Sequence, residues 1–198
     1  MPVKERVDYK VLTDEQLIFS FQGGDREAYT EIVNRYKDKL VNFIYRYTGN
    51  YDDAEDIVQD TMLKVYINKD LYREIARFST WVYTIAINLA KTRIVRVQKY
   101  KTFSISNINP EADEEFDLPD EAFLPDIDAN SMIQSKYIQE ALNKIPEKYK
   151  KLVILRDIDD FSYEEICEIT KIPMGTVKSR INRGREKLQK LLEHIYKE

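Results

Sequence analysis

The chain has 198 residues, 43% of them hydrophobic and 33% charged, with five glycines and six prolines; that suits one larger domain or two small ones and leaves little room for a turn-rich β architecture. Its formal net charge of −4 and pI near 5.3 argue, as averages, against nucleic acid, whose phosphates demand clustered cations. A single cysteine, Cys167, excludes an internal disulfide, and with no signal peptide and no run long enough to cross a bilayer the chain is expected to be cytoplasmic.

Residues 1–12 show no periodicity and are expected to trail loosely. Thr13 and Gln16 form a candidate capping box for a helix that Gly23-Gly24 ends. Asp25 opens the next helix, in which Tyr29, Ile32, Val33, Tyr36, Leu40, Phe43, Ile44 and Tyr47 keep the three/four rhythm of one buried face. Gly49-Asn50 stops it. Asp52 with Glu55 repeats the cap pattern ahead of a third helix with Ala54, Ile57, Val58, Met62 and Val65 inward, and Asp56, Gln59, Asp60 and Lys64 outward. That outer face is either a solvated surface or a docking surface, and spacing alone does not choose.

Residues 69–77 read as an irregular connection into a long helix from Phe78 to about Val97. Between 77 and 101 the cations Arg77, Lys91, Arg93, Arg96, Lys99 and Lys101 occur with no acid among them. Phe78 and Trp81 beside them are either core or a stacking platform, since single-stranded nucleic acid wants rings for bases and charge for phosphates. From Thr102 to Ser135 there is no Lys or Arg, while nine acids crowd together with Pro110, Pro119 and Pro125, as in an extended linker. These acids mask basic segments on either side, so the low pI does not exclude DNA.

Beyond the linker, Ile138, Ala141, Leu142 and Ile145 mark one helix and Pro146 starts another through Leu155. Ser162 with Glu165 forms a second candidate capping box, and Phe161 with Ile166 a hydrophobic staple. After Lys171-Ile172, Pro173 suits the start of a new helix whose Val177, Ile181, Gly184 and Leu188 share one face. Thr176, Ser179, Asn182 and Arg183 lie on or near the opposite face, and seven cations against one acid occupy residues 171–190. The pattern is that of a helix-turn-helix reading a major groove, or of a two-helix corner with a solvated face. Catalytic parts are missing: the one histidine, His194, lies near the C-terminus, no Gly-rich phosphate loop occurs, and one Cys with one His cannot form a structural zinc site. No enzymatic activity, cofactor, metal or small-molecule substrate is expected.

The blocks DDAEDIVQDTMLKVY, FSTWVYTIAINLAKTRI and IPEKYKKLVILRDIDDFSYEEICEITKIPMGTVKSRINRGREKL, in this order, resemble an extracytoplasmic-function sigma factor, a two-domain specificity subunit of bacterial RNA polymerase. The resemblance implies an all-α chain of two small helical domains joined by an acidic flexible linker: a tail at 1–12, a region 2 domain at 13–101, the linker at 102–132 and a region 4 helix-turn-helix domain at 133–198. It implies that Asp56, Gln59 and Asp60 bind the clamp of the largest subunit of core RNA polymerase. Arg77, Phe78, Ser79, Thr80, Trp81 and Asn88 would serve the opened minus-ten element of promoter DNA, with Lys91, Arg93 and Arg96 on its phosphates. Lys178, Ser179, Asn182 and Arg183, with Thr176, would read the minus-thirty-five duplex, and Arg180 and Arg185 would hold phosphates. A membrane-bound anti-sigma factor is a further implied partner.

Overall fold

The structure, a computed structural model, describes residues 7–105 and 129–195. Among these residues the fold is helical, with no strand: α1 (Asp14–Gln22), α2 (Arg26–Thr48), α3 (Tyr51–Ile67), α4 (Phe78–Ile105), α5 (Ala129–Lys144), α6 (Glu147–Val153), α7 (Tyr163–Thr170) and α8 (Met174–Ile195). No helix of the described residues is long and apolar enough to cross a membrane. Helices α1–α4 pack on one another, as do α5–α8.

Both capping boxes form. Thr13 Oγ1 accepts from Gln16 N at 3.2 Å while Gln16 Oε1 accepts from Thr13 N at 2.8 Å, and Ser162 and Glu165 exchange the same pair at 3.1 and 2.8 Å. The third helix starts earlier than its sequence suggests. Gly49, at φ 82°, closes α2 in the left-handed region, and Asn50 at once accepts from Asp53 N at 2.7 Å, so Asn50 and not Asp52 caps α3. Helix α4 also outruns Val97, because nothing between there and Ile105 breaks a helix. The linker expected at 102–132 lies mostly outside the described residues.

Part of the expected loose tail is tied down. Tyr9–Val11 forms one 3-10 turn, and the Arg35 guanidinium of α2 donates to the carbonyls of Tyr9, Lys10 and Leu12 while pairing with Asp14 and Glu31. Every guanidinium donor is thereby used, the condition under which a half-buried arginine is stabilising. Tyr9 also donates to Asp25 at 2.8 Å. These bonds join residues far apart in sequence, which is why local periodicity does not reveal them.

The apolar interior runs from the first four helices into the last four. Tyr83 of α4 is 3% exposed and packs between Phe43 of α2 (ring centroids 5.1 Å) and Phe161, ahead of α7 (4.7 Å). Helix α7 lies on α4, and α5 and α6 touch α2. Within the second half, α8 crosses α6 closely at Gly184, where a Cβ would sit 2.6 Å from Val153 Cγ2 and 3.3 Å from Tyr149 Cβ. Gly184→Ala should therefore destabilise the chain by about 1–3 kcal/mol through overpacking. Urea denaturation checks this; an unchanged midpoint would mean that the α6–α8 crossing has slack.

Candidate nucleic-acid interface

The first basic surface begins at the entry to α4. Its connection from α3 is a 3-10 turn, Lys69–Leu71, followed by an irregular turn pinned by buried Tyr72, whose hydroxyl donates to Ala76 O at 3.0 Å. Gln22 of α1 donates to Lys69 O at 2.7 Å, and Lys69 Nζ to Phe21 O at 2.7 Å. The first turn of α4 is held by Glu15, whose Oε1 accepts from Phe78 N at 3.0 Å, a carboxylate satisfying an orphan donor at a helix N-terminus. Beside this junction lies a cavity of about 690 Å³ lined by Thr13, Asp14, Glu15, Arg35, Glu74, Ile75, Ala76, Arg77 and Ser79.

Phe78 is fully buried, ringed by Tyr36, Tyr72 and Trp81 at 5.5–5.8 Å, and Thr80 is 3% exposed. Neither presents its side chain to a nucleic-acid strand in this form. For Phe78, the core wins over the stacking platform, because the base of α4 closes the aromatic cluster of the first four helices. Trp81 and Ser79 are half-exposed, Asn88, Arg93 and Arg96 are exposed, and Lys91 is half-buried. Two arginines are engaged. Arg77, although 77% exposed, pairs with Glu165 of α7 at 3.2 Å, and Arg93 pairs with Asp53 of α3 at 2.6 Å. The bond to Asp53 and its charge hold the Arg93 guanidinium above its ordinary pKa.

On α3, Asp56, Gln59 and Asp60 are exposed. The structure adds Leu63 at 56% and Ile67 at 66% exposure, following them at helical spacing on the same side. Sequence reasoning passed over these two; apolar residues interrupting an otherwise polar outer face were the available signal.

The second basic surface is α8. Lys171 ends α7 in the left-handed region at φ 57°, and Pro173 starts α8 by accepting from Thr176 N and Val177 N. Buried Val177, Ile181 and Gly184 turn toward the core, so Lys178, Ser179, Asn182 and Arg183 emerge exposed, with Thr176 and Arg180 half-exposed. Arg185 makes a two-pronged pair with Asp157 of the π turn Ile154–Ile158 at 3.0 and 2.5 Å. Burial raises the pKa of the Tyr149 phenol, but a hydrogen bond from Arg183 and the charge of Lys148 bring it below its ordinary value. Cys167 is half-buried, its thiol raised chiefly by burial and its Sγ 4.0 Å from Met174 Sδ, as suits a packing residue. Among the described residues no group of three His, Cys, Asp or Glu side chains could hold a metal ion.

The chain matches the family models for sigma-70 region 2 over residues 32–100 and sigma-70 region 4 over residues 135–188. It is 39% identical over 176 residues to the ECF RNA polymerase sigma factor SigW of Bacillus subtilis, an alignment spanning 87% of this chain and 92% of that one. It is 32% identical over 188 residues to the ECF RNA polymerase sigma-E factor of Escherichia coli, spanning 93% and 96%. Two solved structures share the fold: the sigma factor RpoE with the anti-sigma factor NepR from Bartonella quintana, and CnrH with the cytosolic domain of CnrY. Their TM-scores are 0.66 and 0.67 at 24% and 19% identity; the first covers 83% of this chain and 96% of that one, the second 91% and 97%.

The Thr80 hydroxyl is buried and has no hydrogen-bond partner. Thr80→Val should leave stability unchanged or raise it by up to about 1 kcal/mol, because an unpaired buried hydroxyl contributes nothing that valine loses. A thermal melt decides; a clear loss of stability would mean that the hydroxyl is bonded in solution.

Proposed function

The chain belongs to the extracytoplasmic-function RNA polymerase sigma factors, and from that premise we propose how its two basic surfaces divide the work of promoter recognition. A sigma factor serves RNA polymerase in transcription initiation and is a specificity subunit, not a catalyst. Residues 13–101 dock core polymerase and handle the opened minus-ten element; residues 133–198 read the minus-thirty-five element as duplex; 102–132 tether the two. The observation that carries this division is charge segregation. Residues 77–101 hold six cations and no acid, and 171–190 hold seven cations and one acid, in a chain of net charge −4. Counterion release at two separate patches is what two separate DNA contacts require.

The docking face is the outer side of α3. Asp56, Gln59 and Asp60 supply polar contacts to the largest-subunit clamp, and exposed Leu63 and Ile67 extend the face with apolar area. At the minus-ten element, Trp81 offers a half-exposed ring, Asn88 a hydrogen-bonding amide, and Lys91 and Arg96 charge for phosphates. Arg93 joins them by exchanging Asp53 for a phosphate, and Arg77 by leaving Glu165. Phe78 and Thr80 act from the core by fixing the first turn of α4. The cavity beside Ser79 and Arg77 has room for an extruded base, whose unstacking costs a few kcal/mol that ring and hydrogen-bond contacts must offset.

On α8, Lys178, Ser179, Asn182 and Arg183 form the exposed tip that enters the groove, with Thr176 at its start, while Arg180 and Arg185 suit phosphates, which position without specifying. An anti-sigma factor completes the partner set; of the two solved structures, one holds its sigma factor with the anti-sigma factor NepR, the other holds CnrH with the cytosolic domain of CnrY.

Run-off transcription from a cognate promoter with core enzyme tests the assignment as a whole, and absence of a transcript would refute it. Gln59→Ala should weaken capture by core polymerase with the fold intact, as a pull-down will show. Trp81→Ala should impair promoter opening, followed by permanganate footprinting, more than closed-complex formation; equal loss in both would remove Trp81 from the opening step. Arg183→Ala should weaken duplex binding by about 1–3 kcal/mol and lower its salt slope. Titrations at several salt concentrations measure both, and an unchanged slope with unchanged affinity would exclude Arg183 from the reading face.

A further inference from the structure

We propose that Lys91 of α4, Lys151 of α6 and Arg180 of α8 form a binding site for the phosphate group of a small anion, and that its occupant competes with promoter DNA for two of the three cations. The site stands on the placement of these residues; only the competition rests on the two-surface division above. The three side chains come from three helices, and the charges of Lys91 and Arg180 both act on the Lys151 ammonium. Lys91 follows buried Ile87 by one turn and is half-buried. Arg180 stands half-exposed one turn ahead of Gly184, where α8 crosses α6 closely. Lys151 itself is 8% exposed. Among the described residues none of the three makes a hydrogen bond or an ion pair.

That sets them apart from the cations around them. Arg77, Arg93 and Arg185 each pair with a carboxylate, and Lys150, as buried as Lys151, reaches Asn143 Oδ1 at 3.4 Å. Among the described residues the acid that acts on Lys151 is Glu147, one turn before it on α6. That carboxylate is already engaged, accepting from the Tyr47 hydroxyl at 2.5 Å. Burial and the Lys91 charge lower the Lys151 pKa from its ordinary value; Glu147 opposes them and Arg180 adds to them. A buried charge is tolerated when it is paired and hydrogen-bonded, and here the neighbours are cations. The counterpart such a cluster calls for is an anion.

The donors select its chemistry. Two ammonium groups and a guanidinium carry three charges and more N–H groups than the two oxygens of a carboxylate can use. A phosphate brings about two negative charges near pH 7 and three strong acceptor oxygens, which Arg and Lys can share. Lys151 takes the inward oxygen, while Lys91 and Arg180 close on the others and leave the remaining substituent toward solvent. That geometry suits inorganic phosphate or a terminal phosphate of a nucleotide. A phosphodiester within a strand brings one charge and would have to continue in two directions from a site whose central cation is nine-tenths buried. Because Lys91 and Arg180 are also the residues assigned to DNA phosphates, a seated anion withdraws one cation from each basic surface.

Thermal melts and calorimetric titration of the full-length chain with inorganic phosphate, against chloride at equal ionic strength, test the site. Phosphate should bind at one site per chain and raise the Tm, since it binds the folded state alone. Lys151→Met should weaken that binding about 10-fold, the loss of one charge-assisted bond. Its Tm without phosphate should be unchanged or higher, because a buried unpaired charge gives way to an apolar chain. Lys91→Met, at a half-buried position, should weaken binding as well, while Lys187→Met, an exposed cation of α8 outside the cluster, should keep wild-type binding. Equal phosphate binding by wild type, Lys151→Met and Lys91→Met, or a phosphate effect no larger than that of chloride, would overturn the site. ADP and adenosine separate the sources: tighter binding by ADP than by inorganic phosphate, with none by adenosine, assigns a nucleotide, and equal or weaker binding by ADP assigns inorganic phosphate. In a titration with cognate promoter duplex, phosphate should weaken wild-type binding beyond the effect of chloride, and do so less in Lys151→Met. Phosphate bound without that weakening would overturn the competition and leave the site. A chain that binds phosphate but no DNA would overturn the two-surface division and the competition with it.

Discussion

Tyr83 has to be buried, and most of what distinguishes this molecule depends on how that is achieved. Its ring lies on a helix whose outer side carries cations, so α4 must be core and charged surface at once. Phe43 covers the ring from one direction and Phe161 from the other. Only the first of these comes from the same half of the chain. Helix α4 is therefore completed by a residue more than seventy positions away, and its free surface is set by where the second half sits.

Charge imposes a second constraint of similar weight. Three arginines of the two basic surfaces pair with carboxylates the fold brings to them: Arg77 with Glu165, Arg93 with Asp53, Arg185 with Asp157. In each pair the arginine is the exposed partner, at 45–77%, while its carboxylate is only 17–31% exposed. Arg35 behaves otherwise. With all its donors used inside the fold, it serves as a fixed joint between α2 and the chain ahead of α1.

Local chemistry made much of the molecule legible. The Thr13–Gln16 and Ser162–Glu165 boxes, the Gly49 stop and the apolar stripe of α2 each depend on residues within a turn or two of one another, where spacing and stereochemistry suffice. Similarly, the exposed tip of α8 follows from which residues stand opposite Val177 and Ile181. The errors have equally local causes. Asn50 displaced Asp52 as cap because the left-handed turn at Gly49 delivers Asn50 already extended, and α4 continued past Val97 because no breaker stands there.

The sequence by itself determined the run of helices, the caps at Thr13, Asp25 and Ser162, the two cation-rich segments and the family, since each is encoded in short-range pattern. Tertiary structure alone decided that Phe78 and Thr80 are interior, that three candidate DNA arginines are paired, that Leu63 and Ile67 extend the face of Asp56, and that α7 lies across α4. The physical reason is the range of the interactions. Periodicity reports which face of a helix is apolar, but not which distant face will cover it, and a charge pattern lists cations without saying which carboxylate the fold brings within 3 Å.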